Sequence, residues 1–310
     1  MVQNLNFASF GVILLVSSAL TLAATPAART AATTTPLVRC TAGAARPSLA
    51  SKMAAQIAKQ LRGRGTAIGL NLTDSTNNKT GVTCWYRSTE HFYAASVIKV
   101  TILSALLRKT QEQNRQLTAR EKHEAWLMIT QSDNNAANAL WADVGYKFMQ
   151  HFLDVAGMKQ TRLDPHWGLT RITAHDELTQ LKIISGSNKV LTKPSRIYAR
   201  YLMAHVTPSQ RWGVPAGAPK TATVHVKNGW LPYPGSAWEI NSIGTFTNTH
   251  RAYLIVMLTY GNPSMAYGID TIEGAAEVIH ALLNPGTHAT VPSSTPNPTW
   301  GIPDEPIPSR

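Results

Sequence analysis

The stretch Phe92-Tyr93-Ala94-Ala95-Ser96-Val97-Ile98-Lys99-Val100-Thr101-Ile102-Leu103 sets one serine and one lysine in an otherwise apolar helix start. Three residues is almost one turn, so Ser96 and Lys99 share a face. Burial opposes the ammonium form of an amine and lowers its pKa, potentially to roughly 7–8, where it can take a proton. A hydroxyl at a helix N-terminus also sits beside backbone N–H groups that stabilise developing negative charge. Nucleophile, base and electrophilic assistance are thus local. Taken alone, the pair reads equally as a capping serine and a snorkelling lysine, although no other serine here has a lysine three positions on.

Moving outward, Ser132-Asp133-Asn134 lies between two helical runs, Glu124–Thr130 and Asn135–Ala142. The trio is either a turn or, if it faces Ser96, a hydroxyl that relays a proton and an amide that holds a substrate carbonyl. Lys227-Asn228-Gly229-Trp230 ends a predicted strand. There Lys227 can bind a carboxylate, and the missing side chain of Gly229 lets a substrate backbone lie along the edge. The bland alternative is a strand end before the turn Leu231–Gly235.

Together the three elements resemble the penicillin-recognising serine hydrolases, specifically the class A β-lactamase branch, whose order is Ser-x-x-Lys, Ser-Asp-Asn, Lys-Thr-Gly. Ser96 and Ser132 are 36 residues apart, Ser132 and Lys227 are 95 apart, and the resemblance spans roughly Ser48–Leu283. It implies that Ser96 is the acylated nucleophile, Lys99 its proton acceptor and Ser132 the group that protonates the leaving nitrogen. Asn134 would orient the substrate amide, Lys227 and Asn228 would hold its carboxylate, and the backbone N–H groups of Ser96 and Trp230 would form the oxyanion hole. Asn228 replaces the family's hydroxyl residue.

A second departure is larger. The family hydrolyses its acyl-enzyme with a Glu in a loop that opens like Thr161-Arg162-Leu163-Asp164, but here the loop continues Pro165-His166-Trp167-Gly168-Leu169-Thr170-Arg171-Ile172 with no carboxylate. Release of the acyl group is therefore expected to be slow unless another group, such as His166, activates water. The resemblance implies opening of a β-lactam ring. A peptidase or transferase on D-Ala-D-Ala-like wall peptides and a non-catalytic penicillin-binding sensor are the alternatives. Lys79-Thr80-Gly81 spells the third motif literally but precedes Ser96, in an Asn-rich hairpin turn that explains it fully.

Around this centre the pattern predicts an α/β (α+β) domain. Leu49, Met53, Ile57 and Leu61 mark one face of a helix ending at Gly63/Gly65, and Ala67–Leu72 with Val82–Arg87 read as a hairpin. From Ser96 to about Gln210 the pattern is helical, with capping boxes at Thr118–Glu121 and Thr173–Asp176. Thr223–Trp230, Ala237–Phe246 and Arg251–Tyr260 read as alternating strands, followed by a helix over about Thr271–Leu283. An antiparallel sheet built from both chain ends, flanked by helices and with an inserted helical subdomain, is the expected architecture.

The 310 residues are 44% hydrophobic and 15% charged, which excludes a wholly disordered or collagen-like polymer. The domain is expected over residues 48–284 of a monomer, after an uncharged export signal within residues 1–24 (or an uncleaved anchor) and a leader over 25–47, and before a tail with seven prolines from Pro285 onward. The chain is thus read as secreted. Cys40 and Cys84 are then either a disulfide, as an even count in an exported chain favours, or two unrelated thiols.

Lys and Arg exceed Asp and Glu by 29 to 17, a net charge of +12 scattered through helix-like segments, which suits an anionic cell wall better than nucleic acid. No His pattern implies a metal, and no cofactor is expected. Asn71 and Asn78 fit glycosylation acceptors. Trp126 and Trp141 read as core, whereas Trp167, Trp230, Tyr233 and Trp238 are candidates to line a cleft.

Overall fold

The computed structural model describes residues 37–74, 76, 80–232 and 237–287. The signal segment, most of the leader, the tail beyond residue 287, and Asn78, Lys79 and Tyr233 lie outside them. In chain order the elements are β1 (Arg39–Ala42), α1 (Pro47–Leu61), β2 (Ala67–Asp74), β3 (Val82–Tyr86), β4 (Phe92–Tyr93), α2 (Ile98–Glu112), α3 (Ala119–Trp126), α4 (Asn134–Val144), α5 (Tyr146–Ala156), β5 (Arg171–Ile172), α6 (Ala174–Ser185), α7 (Lys193–Ala204), β6 (Thr223–Pro232), β7 (Trp238–Thr247), β8 (Ala252–Asn262) and α8 (Met265–Leu283).

Six strands form one antiparallel sheet in the order β1-β3-β2-β8-β7-β6. Its two halves come from opposite ends of the domain and join where β2 pairs with β8. Helices α1 and α8 cover one face, and α6 covers the other. The four-residue spacing of Leu49, Met53, Ile57 and Leu61 holds because all four are buried from α1. Each such side chain contributes roughly 1.5–3 kcal/mol through burial.

Covering both faces also explains β8. Tyr253–Leu258 is buried at six consecutive positions rather than alternating, as expected for a strand with no solvated side. This places the strand that carries the third motif, β6, at the sheet edge, next to the start of α2.

Several sequence expectations are corrected. Folded structure begins before Ser48: Arg39–Ala42 pairs with β3, and Cys40 stands opposite Cys84 and is disulfide-bonded to it. The last helix starts at Met265, not Thr271, because the Ser264 hydroxyl caps it by accepting from Tyr267 N–H. Thr118 and Glu121 form a reciprocal capping box, whereas at α6 only Thr173 caps. The Asp176 carboxylate accepts instead from the Gln160 and Thr161 N–H groups and the Thr161 hydroxyl, fixing the loop that follows. Asn71 is buried on β2, so it is no accessible glycosylation acceptor.

Candidate active site

Ser96 sits in a short 3₁₀ turn, Ala95–Val97, between β4 and α2. The preceding Ala95 has φ +46°, a left-handed conformation disfavoured for any residue with a Cβ, so surrounding contacts must impose it. Those contacts come largely from alternate residues of β7. The Glu239 carboxylate accepts from Tyr93 N–H at 2.5 Å, while the Asn241 amide donates to the carbonyls of Tyr93 (2.8 Å) and Ala94 (3.4 Å). Ala94 N–H in turn donates to Thr170 O at 2.8 Å. Ser96 is enclosed, and among the described residues its hydroxyl has no hydrogen-bond partner.

One turn along, Lys99 is fully buried. Its ammonium donates to Ser132 O at 2.7 Å, to Ser132 Oγ at 3.3 Å and to Asn134 Oδ1 at 2.8 Å. The local backbone makes this possible. Residues Leu127–Gln131 wind into a π turn, and Ser132 then adopts φ +60°, which brings its carbonyl and hydroxyl to the same amine. Asp133 caps α4 by accepting from Ala136 N–H at 2.7 Å, leaving Asn134 at the first helical position. The expected helix over Glu124–Thr130 therefore ends in a widened turn whose consequence is the placement of Ser132.

From β6, Lys227 Nζ donates to the same Ser132 Oγ at 2.9 Å and to Asn228 O at 3.0 Å. Two lysines thus share one hydroxyl oxygen. Burial lowers the Lys227 pKa to about 7. Lys99 lies well below the ordinary lysine value, first through burial and then through the positive charge of Lys227, opposed by Asp133. Gly229 lies on the same face of β6 as Lys227, and a Cβ there would stand 2.9 Å from Ala94 O, Ser96 N and Val97 N. Its absence lets the edge strand close against the serine turn.

Asn228 and Trp230 point to the opposite face. The Asn228 amide donates to the carbonyls of Gln210 (2.9 Å) and Trp212 (2.8 Å), so its N–H groups brace the neighbouring segment rather than face the lysines. The expectation that Asn228 holds a carboxylate is corrected accordingly. The Trp230 indole is buried against Trp212, so what this residue brings to the site is its backbone.

The loop between α5 and α6 brings Trp167, one of the aromatics expected to line a cleft, to the site. Trp167 lies with its ring centroid 4.7 Å from Lys99 Nζ, and its indole N–H donates to Asn138 Oδ1 at 2.7 Å. An aromatic face therefore covers the amine, and among the described residues no carboxylate is hydrogen-bonded to Lys99. His166 is exposed beside Asp164. Trp126 and Trp141 pack against the core, as does the partly buried Trp238. Among the described residues no group of three or more His, Cys, Asp or Glu could hold a metal ion. Glu239, Asn241 and Asn138, which position the serine turn and Trp167, carried no sequence signal.

Comparison with known proteins bears on the fold and the family. The chain is 28% identical over 211 residues to "Putative lipoprotein LppW" of Mycobacterium tuberculosis, a match covering 64% of this chain and 66% of the relative. It thus matches just under two thirds of that relative's length. A class A β-lactamase from Bacteroides cellulosilyticus superposes with TM-score 0.66 at 16% identity, covering 76% of this chain and 98% of that one. A structure titled PBP-A superposes with TM-score 0.63 at 20% identity, covering 75% and 96%. Residues 52–125 and 120–283 match the model described as "Beta-lactamase enzyme family", and the chain belongs to that family.

Proposed function

We propose that the protein is an exported serine hydrolase that opens β-lactam-type amides through an acyl-enzyme on Ser96. The observation that carries this reading is the convergence of Lys99 and Lys227 on Ser132 Oγ. With both lone pairs of that oxygen engaged by amines, its own O–H proton is left to be donated elsewhere.

Ser96 Oγ attacks the substrate carbonyl carbon and gives its proton to neutral Lys99, a form that burial and the charge of Lys227 favour. The backbone N–H groups of Ser96 and Trp230 face the resulting oxyanion. As the C–N bond breaks, Ser132 passes its proton to the leaving nitrogen and is reprotonated by a lysine. The Asn134 amide orients the substrate, and Lys227 attracts its carboxylate. The uncharged stretch Phe7–Ala24 and the Cys40–Cys84 disulfide support export.

The Trp167 face favours a second reading at the next step. Water at that side of Lys99 meets an indole rather than a carboxylate, so the ester persists until another nucleophile, such as a wall-peptide amine, takes the acyl group. Incubation with a penicillin and intact-mass time courses separate the readings. Turnover without an adduct supports the hydrolase, a long-lived adduct supports the peptidase, transferase or sensor, and no adduct with any acyl donor removes all three.

A further inference from the structure

Folding brings three of the positive charges that look scattered in the sequence, Arg196, Arg200 and Arg211, near one another. Between Glu177 and Glu239 the chain carries eight Lys and Arg residues and no Asp or Glu. This segment includes all of α7, which packs on α6 and on β6. A cleft of 440 Å³ opens at that junction, lined by Ser185 from α6, Arg200 from α7, Thr223 and His225 from β6, and Thr245 and Thr247 from β7. Arg196 and Arg211 stand close enough to act electrostatically on the residues lining it.

Among the described residues Arg196, Arg200 and Arg211 pair with no carboxylate. Their guanidinium groups donate instead to the carbonyls of Leu191 (2.6 Å), of Ile184, and of Ala204 and Val224 (2.9 and 3.2 Å). Carbonyl contacts fix the orientation of a guanidinium without neutralising it, so the remaining N–H donors keep their full affinity for an anion. His225 is nine-tenths buried beside this cleft, and its Nδ1 is 2.8 Å from Thr245 Oγ1. When the Thr245 hydroxyl donates to Nδ1, the ring carries its proton on Nε2 and offers a neutral donor.

We propose that this cleft is a binding site for a phosphate ester, lying further along β6 from the Ser96 centre, on the face of the strand that carries Lys227 and Gly229. A planar carboxylate is satisfied by one guanidinium fork, whereas donors arriving from four elements match the tetrahedral oxygens of phosphate. The hydroxyls of Ser185, Thr223 and Thr247 suit the sugar or glycerol part of such an ester. Phosphate-bearing envelope polymers and free phosphate share this chemistry.

Calorimetric titration of the full chain with inorganic phosphate and with poly(glycerol phosphate), at constant ionic strength, tests the proposal. The double variant Arg196→Gln/Arg200→Gln should lose about tenfold or more in affinity, as expected for removing charge-assisted hydrogen bonds. Lys52→Gln/Lys59→Gln, which removes equal charge from α1, should change it less than twofold. Thr223→Val, at an exposed position, keeps the fold and should weaken binding measurably. Tighter binding of the polymer identifies it as the source of the phosphate, and equal binding identifies the free ion. Absence of binding, or an equal loss in both double variants, overturns the proposal.

Discussion

Lys99 and Lys227 both donate to one oxygen, Ser132 Oγ, at 3.3 and 2.9 Å. Two amines in a dry site cannot both hold a full charge cheaply, and each depresses the proton affinity of the pair. The arrangement therefore lowers the proton affinity of the amines at this oxygen, and among the described residues no carboxylate is hydrogen-bonded to Lys99.

Removing one charge tests this coupling. A positive Lys227 disfavours protonation of Lys99, so Lys227→Met lets Lys99 keep its proton to higher pH. The acid limb of the acylation rate, followed by stopped-flow with a chromogenic β-lactam, should move to higher pH, and the maximal rate should fall with it. An unmoved limb in the variant would show that the two amines titrate independently.

Gly229→Ala places a methyl 2.9 Å from three backbone atoms of the serine turn, none of which can rotate away. Strand and turn must separate, at a cost of about 1–3 kcal/mol. Thermal melts should show this loss, and labelling of Ser96 should drop far more than the unfolded fraction explains. Normal labelling would mean that the edge strand is not needed against the turn.

His280 is buried, its Nδ1 2.7 Å from the Tyr253 hydroxyl and its Nε2 2.8 Å from Val214 O, and burial pushes its pKa down to about 4. The unfolded chain binds this proton near pH 6.5 and the folded chain only near 4, so stability is lost as pH falls through that window. Urea unfolding at successive pH values should show a slope of about 1.4 kcal/mol per pH unit from this group. His280→Gln should be less stable throughout but flatter between pH 6.5 and 4; an identical acid slope in the variant would contradict the assignment.

The Cys40–Cys84 bond closes a 44-residue separation and fastens β1 to β3. Chain-entropy arguments give it about 4 kcal/mol. Replacing both cysteines with alanine should lower the urea midpoint accordingly and expose the amides of Arg39–Ala42 to hydrogen exchange first. Uniform exchange across the sheet would instead mean that the bond stabilises the whole domain and not this edge.

What the sequence made legible follows from the range of the interactions. Ser96 and Lys99 were readable because one helical turn joins them, and the antiparallel sheet was readable because its strands carry long apolar patterns. The Arg39–Ala42 strand was hidden by its Thr- and Ala-rich surroundings, since only its distant partner β3 makes it a strand. Strands β4 and β5 are two residues each, too short for any period to register. Trp167 gave only a loop aromatic, and its position over Lys99 depends on Asn138 across the fold. Asn228 was misread because strand alternation turns it away from Lys227, toward Gln210 and Trp212.

The most direct measurement is the site of covalent labelling. After brief mixing with a penicillin and an acid quench, which traps the acyl-enzyme whatever its lifetime, peptide mapping by tandem mass spectrometry should find the intact drug mass added to Ser96 and nowhere else, and Ser96→Ala should stay unmodified while melting like the parent. A label that survives in Ser96→Ala, or one carried by a different side chain, would contradict the account.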